Sequence, residues 1–222
     1  MNVSELASYI DHTILKPNSS YKDVEKLCQE AIQFNFASVC ILPHYVSYAS
    51  NILGNTKVKT CSVVGFPLGA NLISTKLEET ESLIENGCEE IDMVISVASV
   101  INEDYNYVQE EIEAITELTH CNDGLVKVIV ETCLLNDFQK IKMCEIVSKA
   151  GADFIKTSTG FSTSGAEIND ILLFKKHLSP NIKIKASGGI KNLEQALNFI
   201  NVGVNRLGTS SGKSIIDELK NL

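Results

Sequence analysis

Two short apolar runs, ADFIKTS (152–158) and IKIKAS (182–187), each carry a lysine among residues that are typical of a buried strand. A helical stretch separates the two runs, so together they have the form of a strand–helix–strand unit. An ammonium group on a buried strand is costly unless it is paired, neutralised or used in a reaction. Lys156 and Lys185 are therefore the first candidates for chemistry, and the pair points towards an enzyme that forms an imine.

The same kind of run recurs along the chain, again separated by helical stretches. The six further runs are YIDHTIL (9–15), ASVCIL (37–42), KTCSVVGF (59–66), EEIDMVIS (89–96), LVKVIVE (125–131) and VNRLGTS (204–210). All eight start 22 to 36 residues apart, which is the length of a βα unit. Eight such units favour a (β/α)8 TIM barrel over an open doubly wound sheet.

The boundaries of the helices are also visible in the sequence. Gly87, Gly151 and Gly203 lie shortly before a strand and follow a helical pattern, and Asn35 occupies the equivalent place before ASVCIL. Residues of this kind end helices in the left-handed conformation. The first residues, MNVSELASYIDH, predict a short N-terminal helix, and residues 1–222 are expected to form one barrel domain.

Composition excludes several classes of function. The net charge is −9 and the basic residues do not cluster, so nucleic acid is not expected as a partner. Neither a signal segment nor a membrane span is predicted, and the seven cysteines lack a C-x-x-C pair, which together indicate a cytoplasmic protein with reduced thiols. The four histidines are scattered, so no protein-built metal site is expected.

Five candidate residues lie within the predicted strands: Asp11, Cys40, Asp92, Lys156 and Lys185. Because barrel enzymes carry their chemistry at the carboxyl ends of the strands, Asp92 and Lys156 meet there if both point inwards. A lysine nucleophile must be neutral, and a second ammonium nearby favours the neutral form. Lys185, on the adjacent predicted strand, is placed to have this effect on Lys156.

A structural explanation remains open for each candidate at this stage. A single lysine near a strand end most often snorkels or forms a salt bridge, and Asp92 could be its partner alone. His12 and His44 are more often hydrogen-bonded structural residues. Cys40 lies in an apolar strand and is typical of a core residue, although its sulfur could reach the wall of a pocket.

Small, glycine-rich segments follow the last two predicted strands: ASGG (186–189) and GTSSG (208–212), the second leading into a helix. Such loops expose backbone N–H groups to an anion, and TIM barrels frequently bind phosphate with the loops after strands seven and eight. A phosphorylated substrate is therefore indicated. A Walker P-loop is rejected because Leu207 stands where that motif requires glycine.

The chain resembles the deoxyribose-phosphate aldolases, a family of class I, Schiff-base aldolases with a (β/α)8 barrel. The motifs that carry the resemblance are IDHTILK (10–16), SVVGFPLG (62–69), EIDMVIS (90–96), KVIVETCLL (127–135), FIKTSTGF (154–161), IKASGGI (184–190) and RLGTSSG (206–212). The resemblance implies that Lys156 forms the imine and that Asp92 and Lys185 transfer protons, without a metal or cofactor. It further implies phosphate binding by Gly188, Gly189, Ser210 and Ser211, support of Lys185 by Asp11, and Thr13 and Cys40 in the pocket wall.

The reaction that the resemblance implies is reversible cleavage of 2-deoxy-D-ribose 5-phosphate into D-glyceraldehyde 3-phosphate and acetaldehyde, in deoxyribose phosphate catabolism. Two departures from some members are visible. Phe161 stands where some members carry a phosphate-binding lysine. Some members also end in a tail whose terminal tyrosine reaches the active site, whereas no tyrosine follows Tyr107 here. A homo-oligomer is expected, with a dimer favoured. Another class I aldolase or transaldolase and a non-catalytic phosphosugar-binding barrel remain alternatives, whereas scattered histidines disfavour a metal-dependent aldolase.

Overall fold

A computed structural model describes residues 1–221, and it confirms the predicted TIM barrel. Parallel strands pair in chain order, and the last strand pairs with the first to close the barrel. The strands are β1 (Ile10–Ile14), β2 (Ser38–Ile41), β3 (Lys59–Val64), β4 (Glu90–Val94), β5 (Leu125–Ile129), β6 (Phe154–Lys156), β7 (Lys183–Ser187) and β8 (Arg206–Thr209). Each of them lies within the run that predicted it.

Helices surround the barrel and connect its strands. They are α1 (Val3–Ala7), α2 (Tyr21–Phe34), α3 (Val46–Leu53), α4 (Ile73–Glu85), α5 (Val97–Ile101), α6 (Tyr105–His120), α7 (Asp137–Lys149), α8 (Ile168–His177), α9 (Leu193–Val202) and α10 (Gly212–Lys220). The short N-terminal helix is thereby confirmed, and Asn2 and Glu5 form a capping box at its start. Within residues 1–221, no helix has the length and apolar character needed to cross a bilayer.

The predicted helix ends are also confirmed. Asn35 ends α2 in the left-handed conformation with φ of 55°, and Gly203 ends α9 with φ of 102°. Gly87 and Gly151 follow α4 and α7 with φ of 90° and 73°. Each of these residues turns the chain from a helix towards the next strand. The predicted domain, 1–222, also includes Leu222, which lies outside the described residues.

Alternation along the strands gives the barrel two different surfaces. Outward-facing residues, such as Ile91 and Met93 on β4, belong to the main hydrophobic core against the helices. The inward-facing residues between them, Glu90 and Asp92, are buried and charged. A small apolar cluster of Leu15, Cys40, Cys61 and Val63 is separate from the main core. The interior of the barrel therefore contains several side chains of titratable residues.

A buried ion pair fixes the carboxyl end of β4. Lys76 Nζ on α4 lies 2.6 Å from Glu111 Oε2 on α6 and donates to the carbonyl of Val94 at 2.7 Å. The other oxygen of Glu111 accepts from the backbone N–H of Ser96 at 2.6 Å. Burial raises the pKa of Glu111 although Lys76 opposes the effect. The pair holds the strand that carries Asp92 to two surrounding helices.

Candidate active site

Asp92 is the centre of a buried cluster of charges inside the barrel. Lys156 Nζ and Lys185 Nζ each lie 2.7 Å from Asp92 Oδ2, and Lys127 Nζ lies 2.8 Å from Asp92 Oδ1. Asp92, Lys127 and Lys185 have no exposed surface, whereas Lys156 is 3% exposed. The structure thus brings the predicted catalytic residues Asp92, Lys156 and Lys185 into direct contact.

A second layer of carboxylates holds two of these lysines. Lys185 Nζ lies 2.6 Å from Asp11 Oδ2, which is the contact that the resemblance implied, and Lys127 Nζ lies 2.7 Å from Glu90 Oε2. Arg206 contacts both carboxylates, at 2.5 Å from Asp11 and 3.3 Å from Glu90. Lys156 differs from these two lysines because, among the described residues, Asp92 is the one carboxylate with which it forms an ion pair.

The surroundings determine which of these groups are ionised. Burial alone would raise the pKa of Asp92, but Lys127, Lys156 and Lys185 outweigh it and hold that pKa well below its usual value. Burial would lower the pKa of Lys185, but Asp11 and Asp92 raise it above the usual value. Burial would likewise lower the pKa of Lys127, but Asp92 and the other acidic groups around it together raise that pKa well above its usual value. Asp92 is therefore a carboxylate at neutral pH, with Lys127 and Lys185 as ammonium groups.

Strand register explains why these side chains meet. Asp92 on β4 is the register partner of Lys127 on β5, and Lys156 on β6 is the partner of Lys185 on β7. Side chains at paired positions of neighbouring strands share a face of the sheet. Lys185 is in turn paired with Arg206 on β8. Because the barrel is closed, β4 faces β6 and β7 across the interior, so Asp92 contacts Lys156 and Lys185 as well as its register partner Lys127.

Two cysteines complete the surroundings of Asp92. Cys61 Sγ lies 3.3 Å from Asp92 Oδ1, and Cys40 Sγ lies 3.9 Å from Asp92 Oδ2. A hydrogen bond from Cys61 lowers the pKa of Cys40, and burial raises the pKa of Cys61. One ligand atom from each of the three residues falls within 4.8 Å of the others, as in a metal site. A cation there would compete with the three lysines for Asp92.

A cavity of about 340 Å³ opens above Lys156 at the carboxyl ends of the strands. Its wall includes Lys156 and four predicted binding residues, Thr13, Gly188, Gly189 and Ser210. Asp11 and Cys40 are completely buried in the barrel interior. Ser211 lies at the start of α10, where its N–H donates to Thr209 Oγ1 at 2.9 Å. The wall of the cavity thus contains both the lysine and the two glycine-rich loops.

Gly188 is required by the packing of the loop after β7. It has φ of 86°, and a Cβ at this position would lie 2.9 Å from Gly165 Cα. Ala166 N also donates to the carbonyl of Gly188 at 3.1 Å, so the loop between β6 and α8 supports the loop after β7. Any larger side chain would be strained in conformation and would push the two backbones apart.

Glu131 braces the loop after β6. It is buried, it adopts the left-handed conformation with φ of 52°, and it accepts from the backbone N–H of Thr159 at 3.3 Å and from the Thr159 hydroxyl. Phe161 N donates to Thr159 Oγ1 at 3.1 Å, and the Phe161 ring packs edge-on against Phe66 with centroids 5.3 Å apart. The loop that follows Lys156 is therefore held in a defined shape.

Several residues of the site were not predicted from the sequence. Lys127 and Glu90 are buried charges within apolar runs, which is the signal that identified Lys156, and Arg206 begins the last strand. Two exposed lysines of the cavity wall, Lys16 and Lys191, have no comparable signal. By contrast, His12 lies outside the barrel, where its Nε2 is 2.9 Å from Glu30 Oε2 on α2. It has a structural role, as the sequence favoured.

The lysine and carboxylate arrangement agrees with the comparison with known families. Residues 6–217 match the model of the DeoC/LacD family aldolases. The chain belongs to this family. The family assignment confirms the resemblance described above and makes the protein an aldolase whose charged cluster lies where barrel enzymes carry their chemistry.

Related aldolases match this family member over nearly its whole length. The deoxyribose-phosphate aldolase of Clostridium tetani is 50% identical over 216 residues, covering 97% of this chain and 100% of the relative. That of Caldicellulosiruptor saccharolyticus is 49% identical and covers 98% and 100%. The tetrameric deoxyribose phosphate aldolase of Aeropyrum pernix superimposes with a TM-score of 0.92 at 32% identity, covering 99% of this chain and 92% of that chain.

Proposed function

We propose that the protein is a deoxyribose-phosphate aldolase that uses Lys156 as its Schiff-base nucleophile. The observation that carries the proposal is the contact of 2.7 Å between Lys156 and Asp92, with Lys156 in the wall of a cavity that two glycine-rich loops also line. The substrate would be open-chain 2-deoxy-D-ribose 5-phosphate, and the products D-glyceraldehyde 3-phosphate and acetaldehyde. The names of the relatives support this choice of substrate.

The charges of the cluster support Lys156 as the neutral lysine. The cluster contains the carboxylates of Asp11, Glu90 and Asp92, against the cations Lys127, Lys156, Lys185 and Arg206. Three negative charges balance three positive charges when one of the four basic groups is neutral. Of the four basic groups in the cluster, Lys156 is the one that borders the cavity, and it shares its carboxylate with two ammonium groups. A neutral Lys156 therefore makes the positive and negative charges of the cluster equal, and it places the neutral amine where the substrate binds.

The reaction begins when neutral Lys156 Nζ adds to the C1 aldehyde; the adduct takes up a proton and loses water, giving an iminium ion. A base removes the C3 hydroxyl proton, the C2–C3 bond breaks, and its electrons move to the iminium nitrogen to give an enamine. Glyceraldehyde 3-phosphate leaves. Protonation of the enamine at C2 and hydrolysis then release acetaldehyde and restore the amine. Asp92, acting through a water, would accept the hydroxyl proton, and Lys185 would share in the later transfers.

The glycine-rich part of the cavity wall is suited to the phosphate group. Backbone N–H groups near Gly188, Gly189 and Ser210 are available to an anion, with Ser211 at the start of α10. The ammonium groups of Lys16 and Lys191 line the same cavity. These two lysines would supply the positive charge that other members obtain from a lysine at the position of Phe161.

A coupled assay tests the proposal directly. The protein is expected to release glyceraldehyde 3-phosphate from deoxyribose 5-phosphate and, with acetaldehyde and borohydride, to gain a reduced adduct on Lys156. A trapped adduct with another preferred donor would indicate a different class I aldolase or transaldolase. Phosphosugar binding without any adduct would indicate a non-catalytic barrel.

Replacing Lys16 by methionine is expected to weaken binding of the phosphorylated sugar selectively. Loss of one charge-assisted contact of about 1 kcal/mol raises KM for deoxyribose 5-phosphate on the order of fivefold. Activity towards unphosphorylated deoxyribose should stay unchanged because that substrate lacks the anion. The matched control is Lys22→Met, which removes an exposed lysine on α2 that does not belong to the cavity wall described here. Equal losses with both sugars would contradict the role of Lys16.

The remaining expectations concern the whole protein. We propose that residues 1–222 act as one barrel domain, in the cytoplasm, as a homodimer. Seven free cysteine thiols support a reducing compartment. Because one relative is described as tetrameric, the mass of the assembly in solution, measured by light scattering, distinguishes a dimer from a tetramer.

A further inference from the structure

Two chains of ion pairs connect Arg206 to Asp92. In the first, Arg206 contacts Asp11 at 2.5 Å, and Asp11 holds Lys185, which contacts Asp92. In the second, Arg206 contacts Glu90 at 3.3 Å, and Glu90 holds Lys127, which also contacts Asp92. Arg206 therefore anchors both ammonium groups that compete with Lys156 for the same carboxylate.

Arg206 itself lies far from the substrate cavity. It is the first residue of β8, so it is at the opposite end of the barrel from the loops that surround Lys156. It borders a separate cavity of about 240 Å³ together with Tyr9, Lys183 and Asn205. Its guanidinium lies 5.8 Å from the centroid of the Phe154 ring, and its side chain is 16% exposed. Arg206 therefore does not border the substrate cavity, and its effect on the reaction must be electrostatic or act through the chains of ion pairs.

The choice of arginine at this position has a chemical reason. The chain contains nineteen basic residues, and Arg206 is the one arginine among them. A planar guanidinium can bind two carboxylates at once in a fixed geometry, whereas the ammonium of lysine acts as a point charge. Nη1 contacts Asp11 and Nη2 contacts Glu90, so the side chain uses the property that distinguishes it from lysine.

We propose that Arg206 and Glu90 are positioning residues that set the protonation of Lys156 from the amino-terminal end of the barrel. The inference rests on the proposed role of Lys156 as nucleophile. The titratable and charged groups that surround Lys156 from the neighbouring strands are Asp11 on β1, Cys40 on β2, Cys61 on β3, Glu90 and Asp92 on β4, Lys127 on β5, Lys185 on β7 and Arg206 on β8. Arg206 and Glu90 have opposite charges, so their removal must act in opposite directions.

Removing the charge of Arg206 leaves the cluster one positive charge short and favours the ammonium form of Lys156. Arg206→Met is expected to shift the acid limb of the pH profile of kcat/KM to higher pH. The shift is about one pH unit for a charge on the order of 10 Å away at an effective dielectric of about 20. Arg206→Lys keeps the charge and should restore most of the profile. Glu90→Gln removes a negative charge and is expected to shift the limb to lower pH.

The decisive measurement is the reactivity of Lys156 itself, in the full-length protein. Reductive methylation with formaldehyde and cyanoborohydride, quantified on the Lys156 peptide by mass spectrometry, reports the neutral amine as a function of pH without any sugar. Lys183→Met is the matched control, because Lys183 also lies over the Phe154 ring at the same end of the barrel, 5.5 Å from its centroid. This control should leave the pH midpoint of Lys156 methylation unchanged.

Opposite shifts of the labelling midpoint in Arg206→Met and Glu90→Gln support the inference. Unchanged midpoints, or shifts in the same direction, would overturn it. A purely structural role would lower stability and activity without moving the midpoint. If Arg206→Met does not fold, the shift in Glu90→Gln decides the question. Failure of the wild-type protein to cleave deoxyribose 5-phosphate would count against the proposed function alone, because the labelling does not depend on that reaction.

Discussion

Replacement of Lys156 by methionine is expected to abolish cleavage of deoxyribose 5-phosphate. Without the amine no iminium ion can form, so the electrons of the C2–C3 bond have no acceptor. Loss of a covalent nucleophile lowers kcat/KM on the order of 10⁴-fold or more. The coupled assay measures this loss, and the borohydride adduct with acetaldehyde should disappear from the peptide that contains residue 156.

The fold should survive this substitution, because Asp92 keeps its contacts with Lys127 and Lys185 at 2.8 and 2.7 Å. Circular dichroism and thermal unfolding can therefore separate lost chemistry from lost structure. Lys183→Met is the matched control: it changes an exposed lysine on the strand that carries Lys185 and should retain both activity and adduct. An adduct that persists in Lys156→Met would place the nucleophile on another lysine.

Much of the fold could be predicted because the local sequence patterns and the barrel architecture favour strands at the same places. The run ADFIKTS predicted a strand over 152–158, and β6 occupies Phe154–Lys156 within it. The polar residues after Lys156 lie outside the strand and form the loop that contacts Glu131. The sequence located this strand correctly, whereas the exact point where it gives way to the loop depends on contacts with a distant segment.

The charged cluster was only partly predictable. Asp92 and Lys156 were predicted to meet because alternation places both inside the barrel. Lys127 carries the same signal in VKVIV, but its contact with Asp92 depends on the register between β4 and β5, which a single sequence does not specify. Arg206 lies near the start of its run. It contacts the carboxylates of Asp11 and Glu90, which are on other strands, so these contacts depend on the closure of the barrel.

The interior of this barrel combines two requirements that oppose each other. A set of buried charges is stable only when each group has partners, yet a nucleophilic lysine must be free to lose its proton. The structure reconciles them by giving Lys185 and Lys127 carboxylates of their own, Asp11 and Glu90. Lys156 relies on Asp92 alone among these carboxylates, so neutralising it disturbs the rest of the cluster least.

Replacement of Asp92 by asparagine is expected to damage both stability and turnover. It leaves Lys127 and Lys185 buried without their shared carboxylate, and breaking a buried ion pair typically costs about 3–5 kcal/mol of the free energy of unfolding. Loss of the proton acceptor should also lower kcat on the order of 10²- to 10⁴-fold. Urea unfolding at pH 7 measures the first effect, and the coupled assay measures the second in the folded protein.

The pH dependence of stability identifies the origin of the loss. Because the folded protein holds the pKa of Asp92 well below the unfolded value of about 4, the carboxylate contributes stability above that pH and loses its contribution as the pH falls through the folded pKa. The difference between wild type and Asp92→Asn should therefore be largest near neutrality and shrink below about pH 4. The control is Asp217→Asn, which removes a half-exposed carboxylate paired with Lys213 and should change the midpoint of urea unfolding little. A difference that stays constant from pH 7 down to acid unfolding would attribute the loss to packing instead of charge.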